Sequence, residues 1–181
     1  MLDNARSQTR ADDQSGFHVV DSTKPFNEGT FDLVLAAWLL NYAANKEELL
    51  ALWQNIFHSL KPGGRFIGVI PSSGILQTPS SARRYYFEGV SAEALECVAE
   101  GIRTKITLHA TEPITFSCYV LEHRLYKKCA WQAGIRDLKW EPLPNDLRMD
   151  SVDCGGYECL PSFQIVSASR PKMSVRDGVS L

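Results

Sequence analysis

The stretch that decides the fold runs from Lys24 to Pro71 and reads KPFNEGTFDLVLAAWLLNYAANKEELLALWQNIFHSLKPGGRFIGVIP. Residues 31–40 are almost continuously apolar and do not alternate, which is typical of a strand covered on both faces in a parallel sheet. Residues 65–70 form a second run of this kind. Strand, helix and strand with short connections predict a right-handed crossover and therefore a parallel sheet.

The segment between these strands is predicted to be a helix. Asn45 and Glu48 form a capping pair at its start, with Asn in the place of Ser or Thr. Apolar residues then recur at helical spacing, and Lys-Pro-Gly-Gly at 61–64 ends the helix. The apolar stripe consists of Leu49, Trp53, Ile56 and Leu60.

The flanking sequence contains further candidate elements. The run FHVV at 17–20 predicts a short strand that stops at Asp21. Ser91 is a candidate cap for a short helix that continues to Glu100 and stops at Gly101. The remaining predictions are a strand at 114–121, a helix at 122–133 that ends at Gly134, and strands at 135–143 and 162–168.

Composition excludes several classes of function. The 181 residues hold 19 Lys plus Arg against 21 Asp plus Glu, a formal net charge of -2, so no basic face for nucleic acid is predicted. No polybasic segment and no apolar run of about 20 residues indicates a membrane. We therefore expect a cytoplasmic protein. The five cysteines are odd in number and none has C-x-x-C spacing, so neither a disulfide framework nor a zinc site is indicated. We expect no metal site.

Four short motifs occur in order along the deciding stretch: Pro25-Phe26, Glu28-Gly29, Phe31-Asp32, and Leu60 followed by Lys-Pro-Gly-Gly. In this order and spacing they resemble the class I (Rossmann-like) S-adenosylmethionine-dependent methyltransferases, in particular the small-molecule branch. The resemblance implies an α/β fold whose sheet is mostly parallel with an antiparallel late strand. It also implies S-adenosylmethionine as the cofactor.

The family's first strand, its glycine-rich turn and the acidic end of its second strand do not occur in this sequence. We therefore expect an N-terminally truncated form of the family's sheet, folded as a single methyltransferase-like domain over 1–181. Its predicted parts are a residual helix and turn (1–16), a strand-helix-strand core (17–73), a lid or substrate segment (74–113), late strands and helix (114–170), and a tail (171–181).

The resemblance also assigns cofactor-binding residues. Asp21 matches the acidic position beside the adenine amino group, since a carboxylate accepts a hydrogen bond from an exocyclic amine, and the Ser22 backbone addresses a ring nitrogen. Ala36, Ala37 and Trp38 match the floor under the methionine portion, and Asn41 and Tyr42 follow at the rim. Two other interpretations stay open: Asp21 as the cap of a turn, and Trp38 as a core residue.

Acceptor binding is assigned to the predicted lid. Arg84, Tyr85 and Tyr86 could bind an acidic or aromatic acceptor, or could form an amphipathic surface segment with its arginines at the water boundary. His109 lies in the same segment and is the candidate general base. The other histidines, His18, His58 and His123, are weaker candidates.

Two kinds of function follow. The first is S-adenosylmethionine-dependent methyl transfer to a small molecule. The alternative is a methyltransferase-fold protein without methyl transfer, either a binding or dimerising partner or a cofactor-independent isomerase or cyclase. Without the family's first strand, the strand at 31–40 would have an exposed apolar edge, so we expect a homodimer or an association-prone protein.

Overall fold

The computed structural model describes residues 6–7, 15–73, 84–87, 89–142 and 163–172, and for 84–87 the backbone alone. A 3-10 turn at Leu40–Tyr42 follows the first strand. The other elements, in chain order, are β1 Phe31–Ala37, α1 Lys46–Ser59, β2 Leu60–Pro71, β3 Arg84–Phe87, β4 Val90–Val98, β5 Gly101–Leu108, β6 Ile114–Leu121, α2 His123–Ala133, β7 Lys139–Glu141 and β8 Phe163–Ser169.

One four-stranded sheet has the order β1-β2-β8-β7. Strands β1 and β2 are parallel and are joined through α1, which confirms the predicted crossover. The late strand β8 runs antiparallel to β2 and also pairs with β7. Helices α1 and α2 pack together, and both contribute to the main buried core.

Helix α1 begins where the capping pair predicts. The Asn45 side chain accepts a hydrogen bond from the Glu48 N–H at 2.9 Å, and Glu48 accepts one from the Ala44 N–H at 2.8 Å. Trp53 and Leu49 are fully buried. The helix ends at Ser59, because Leu60 is extended and already opens β2.

Helix α2 ends at Gly134, as its sequence predicts. Gly134 has a φ of 105°, and its N–H donates to the carbonyls of Ala130 and Trp131. A Cβ at this position would lie 2.8 Å from the Phe57 ring. The glycine therefore ends α2 and also allows its close approach to α1.

The structure corrects the prediction of a helix from Ser91 to Glu100. These residues lie mostly in β4, part of a second, antiparallel sheet with the order β3-β4-β5-β6. β4 pairs with β3 on one side and with β5 on the other. Long-range pairing therefore overrides the local capping signal at Ser91.

Two strand predictions near the amino terminus are also corrected. FHVV at 17–20 is not a strand, and Val19 is 81% exposed, because no described strand lies beside it to form a ladder. The strand predicted at 31–40 ends at Ala37 and is not covered on both faces. Phe31, Leu33 and Leu35 are 46%, 55% and 65% exposed. Among the described strands it lies at a sheet edge, as predicted.

The late part of the chain agrees with the sequence in outline. Of the strand predicted at 135–143, which the structure describes as far as residue 142, Lys139–Glu141 alone pairs. The strand predicted at 162–168 is found at Phe163–Ser169. The predicted helix within 1–16 and the tail 171–181 fall largely outside the described residues. No helix in the described ranges is long and apolar enough to cross a membrane.

Candidate functional site

A strained turn follows β1 at the carboxyl end of the parallel pair. Trp38 has a φ of 59° and is the one described non-glycine residue with a positive φ. Its N–H still donates to the Val69 carbonyl at 3.1 Å, so the turn is tied to β2. A bulky residue in this left-handed conformation costs about 1–2 kcal/mol. Such strain is concentrated at functional sites, which makes this turn the first candidate.

Aromatic side chains connect this turn to both sheets. The Trp38 ring packs edge-on against Phe163 of β8, with centroids 6.1 Å apart. The Tyr42 ring lies 6.4 Å from Phe116 of β6. Trp38 and Tyr42 remain 44% and 52% exposed, so each presents an apolar surface to solvent at the junction of the two sheets.

The other predicted residues of this turn divide between core and surface. Ala36 is 3% exposed and belongs to the core, whereas Ala37 is exposed beside Trp38. Asn41, next to Tyr42, is turned inward and is 2% exposed. The interpretation of Trp38 as a core residue does not fit its exposure.

Asp21 and Ser22 lie in a loop held against α1. The Asp21 carboxylate is exposed and accepts hydrogen bonds from the Thr23 hydroxyl at 2.6 Å and the Thr23 N–H at 3.0 Å. These bonds lower the pKa of Asp21, and Lys24 adds a smaller effect in the same direction. Asp21 therefore caps a turn, and it stays ionised as a hydrogen-bond acceptor.

Asn55 positions this loop, a role that the sequence motifs do not indicate. Its side-chain amide donates to the carbonyls of Ser22 and Lys24, both at 2.8 Å. Asn55 is 7% exposed on the apolar side of α1. A polar residue within an apolar helical stripe is the signal that could have identified it, because buried polar groups find partners.

The predicted acceptor residues belong to the second sheet. His109 follows β5, and its Nε2 lies 2.9 Å from the Ser91 hydroxyl. The backbones of Arg84, Tyr85 and Tyr86 pair in β3 with Glu93, Ala92 and Ser91 of β4. Arg84, Tyr85 and Tyr86 of the predicted lid segment thus lie on a paired strand, whereas His109 lies just after the end of β5.

His123 has a more constrained environment than His109. Its Nε2 lies 2.6 Å from Gln164 Oε1 and 2.9 Å from the Ser73 hydroxyl, and its ring stacks on Trp140 with centroids 4.6 Å apart. Burial lowers the pKa of His123, the Gln164 hydrogen bond opposes that effect, and Lys127 adds to it. His123 joins α2 to the ends of β2 and β8.

Comparison with known proteins agrees with this architecture. Residues 1–68 match a family model described as a methyltransferase domain. An S-adenosylmethionine-dependent methyltransferase from Clostridium acetobutylicum superposes with a TM-score of 0.58 at 16% identity, covering 94% of this chain and 69% of its own. The fold is that of the class I S-adenosylmethionine-dependent methyltransferases.

Two more solved structures share this methyltransferase fold. The sugar N-methyltransferase KedS8 from Streptoalloteichus gives a TM-score of 0.51 at 16% identity, covering 93% of this chain and 66% of its own. DesVI from Streptomyces venezuelae gives a TM-score of 0.53 at 13% identity, covering 94% of this chain and 70% of its own. The chain thus spans about two thirds of the length of these structures. No curated protein matches the sequence.

Proposed function

We propose that the protein transfers a methyl group from S-adenosylmethionine to a small-molecule acceptor in the cytoplasm. The observation that carries this proposal is the strained, exposed Trp38 at the carboxyl end of β1, inside the stretch matched by the methyltransferase family model. Ligands of open α/β sheets bind at the carboxyl ends of the parallel strands. The near-neutral charge of the chain agrees with a small acceptor rather than a nucleic acid.

Three of the residues present fit the cofactor. Both Thr23 hydrogen bonds to Asp21 use Oδ1, so Oδ2 is the oxygen we assign to the adenine amino group. The exposed Ala37 has no bulk beyond Cβ, so the methionine portion can approach the backbone beside Trp38. The Ser22 backbone, held through its own carbonyl by Asn55, is assigned to a ring nitrogen of the adenine.

Methyl transfer requires the protein to align the acceptor with the methyl group and does not require a covalent intermediate with the protein. S-adenosylmethionine supplies an electrophilic methyl group on a sulfonium. The protein then has to hold the acceptor in line and exclude water. We assign Trp38 and Tyr42 to the floor and rim of the pocket under the cofactor's methionine portion, and we propose that their exposed rings also contact the acceptor. Arg84, Tyr85 and Tyr86 stay candidates for that contact, and His109 stays the candidate that removes a proton from it.

Calorimetric titration with S-adenosylhomocysteine tests the cofactor assignment. Binding at micromolar affinity would support it, and no heat at millimolar ligand would contradict it. Asp21→Ala should weaken binding, because the adenine amino group would lose its hydrogen-bond acceptor. Asp32→Ala is the matched control, because Asp32 is an exposed carboxylate that pairs with Lys61 at 2.8 Å. An unchanged affinity for Asp21→Ala would overturn the adenine assignment.

A second candidate function, association with another copy of the chain, is favoured by β1. In the described part of the protein this strand pairs with β2 alone, and three of its apolar side chains are exposed. Edge strands of this kind pair readily with other chains. We propose a homodimer that forms through this edge, with or without methyl transfer.

A further inference from the structure

A second feature of the molecule is a cluster of polar side chains buried between the second sheet and the core. Thr104 of β5 and Cys118 of β6 are directly opposite in register. Asn41 of the 3-10 turn and Tyr126 of α2 complete the cluster. The turn packs against β6, which brings Asn41 to this place. We name these four residues the junction cluster.

Cys118 is the centre of the junction cluster. Opposed residues on one face of a sheet have Cβ atoms about 5 Å apart, which places Thr104 beside it. Burial raises the pKa of the Cys118 thiol, and a side-chain hydrogen bond with Asn41 acts in the opposite direction. Tyr126 is close enough to feel the Cys118 charge, and burial raises the pKa of its phenol. All members are therefore neutral.

Three of these side chains each hold one buried polar atom that has no hydrogen-bond partner among the residues the structure describes. The atoms are Asn41 Oδ1, Thr104 Oγ1 and Tyr126 OH. Asn41, Thr104 and Tyr126 are only 2%, 1% and 2% exposed. Each unsatisfied buried group costs about 1–3 kcal/mol. Three such costs in one cluster are large beside the total stability of a typical domain, about 5–15 kcal/mol.

The neighbouring side chains are small enough to leave room. Thr104 stands in register between Ala94 of β4 and Cys118 of β6, so this row of the sheet carries three short side chains. The next row carries Ile106 and Phe116, which are larger. The row that holds Thr104 and Cys118 is therefore a low part of the sheet surface.

We propose that the junction cluster binds an internal water molecule held by Asn41, Thr104 and Tyr126. Water fits because the cluster is neutral and includes two hydroxyls that can each donate or accept. A buried water typically makes about three hydrogen bonds to such groups. It links β5 and α2 to the turn that carries Trp38 and Tyr42.

The sign of a stability change tests the proposal. If the water is present, Thr104→Val and Tyr126→Phe each remove one of its partners and should lower Tm by about 2–4 °C. If the groups are dry and unsatisfied, the same nearly isosteric changes remove a desolvation cost and raise Tm. Thr115→Val and Tyr119→Phe on β6 are the matched controls. A rise in Tm, or no change, for both cluster variants would overturn the proposal.

A direct measurement of bound water completes the test. Oxygen-17 magnetic relaxation dispersion detects waters that stay inside a protein longer than it tumbles. We expect the signal of the wild-type chain to fall in Thr104→Val and to stay constant in Thr115→Val. A lower Tm with an unchanged water signal would overturn the proposal, because the destabilisation would then come from packing.

Discussion

At the scale of single residues, the strain at Trp38 can be separated from the role of its ring. Trp38→Ala and Trp38→Gly both remove the ring, but only glycine accepts a φ of 59° without cost. We expect Trp38→Gly to be more stable than Trp38→Ala by about 1 kcal/mol in urea denaturation. Both variants should lose methyl transfer if the ring contacts the acceptor.

Ala37 provides the matched control one position earlier. It lies in β1, so Ala37→Gly should lower stability by about 0.5–1 kcal/mol, the usual cost of glycine in a strand. Glycine should therefore be less stable than alanine at position 37 and more stable than alanine at position 38. If Trp38→Gly proves less stable than Trp38→Ala, the turn is not strained in solution.

His123 should make stability depend on pH. Its folded pKa is lowered, so as pH falls through about 6.5 the unfolded state binds a proton that the folded state does not. The free energy of unfolding should therefore decrease as pH falls below this value. Replacement His123→Gln should reduce that slope between pH 7.5 and 5.5, measured by urea denaturation at each pH.

The exposed His58 of α1 is the control for His123. His58→Gln replaces the same imidazole on an exposed helix surface. Carboxylates also contribute to the change of unfolding free energy with pH, and they do so equally in both variants. The difference between the slopes of His123→Gln and His58→Gln therefore reports on the buried histidine. Equal slopes in wild type and His123→Gln would show that burial does not perturb this histidine.

At the scale of elements, Gly134 can be tested against Gly29. Both have a strongly positive φ, 105° and 99°, but a Cβ at Gly134 would meet Phe57 at 2.8 Å, whereas nothing lies within 4 Å at Gly29. We expect Gly29→Ala to cost about 1 kcal/mol from the backbone alone. Gly134→Ala should cost about 1–3 kcal/mol more, because the Phe57 ring or the two helices must shift to make room for the methyl group. Equal losses in urea denaturation would show that this shift costs little.

The elements that the sequence predicts well are those that depend on neighbouring residues. Asn45 with Glu48, and Gly134, determine helix ends through hydrogen bonds that span a single turn. The elements it predicts poorly depend on distant partners. Ser91 caps no helix, because β4 is completed by strands on both sides, and FHVV is no strand, because no described strand lies beside it.

The same distinction applies to the candidate site. The resemblance identifies the turn after β1, but neither the strain of Trp38 nor the contact of Tyr42 with Phe116 can be predicted locally. Phe116 belongs to the second sheet, and its approach depends on the packing of that sheet against the turn. Asn55 and the junction cluster show a related limit: polar residues in an apolar pattern can be noticed, but their partners lie far along the chain.

At the scale of the whole molecule, the edge of β1 that no described strand covers predicts association. We expect the wild-type chain to be dimeric or larger by light scattering at tens of micromolar, since exposed apolar edge strands pair between chains. Leu35→Lys places a charge in the middle of this strand, where the side chain is 65% exposed, and should give a monomer. Leu95→Lys is the control, because Leu95 is a 47% exposed leucine on β4 of the other sheet. A monomeric wild type with a cooperative melt, or equal association of wild type and Leu35→Lys, would contradict pairing through β1.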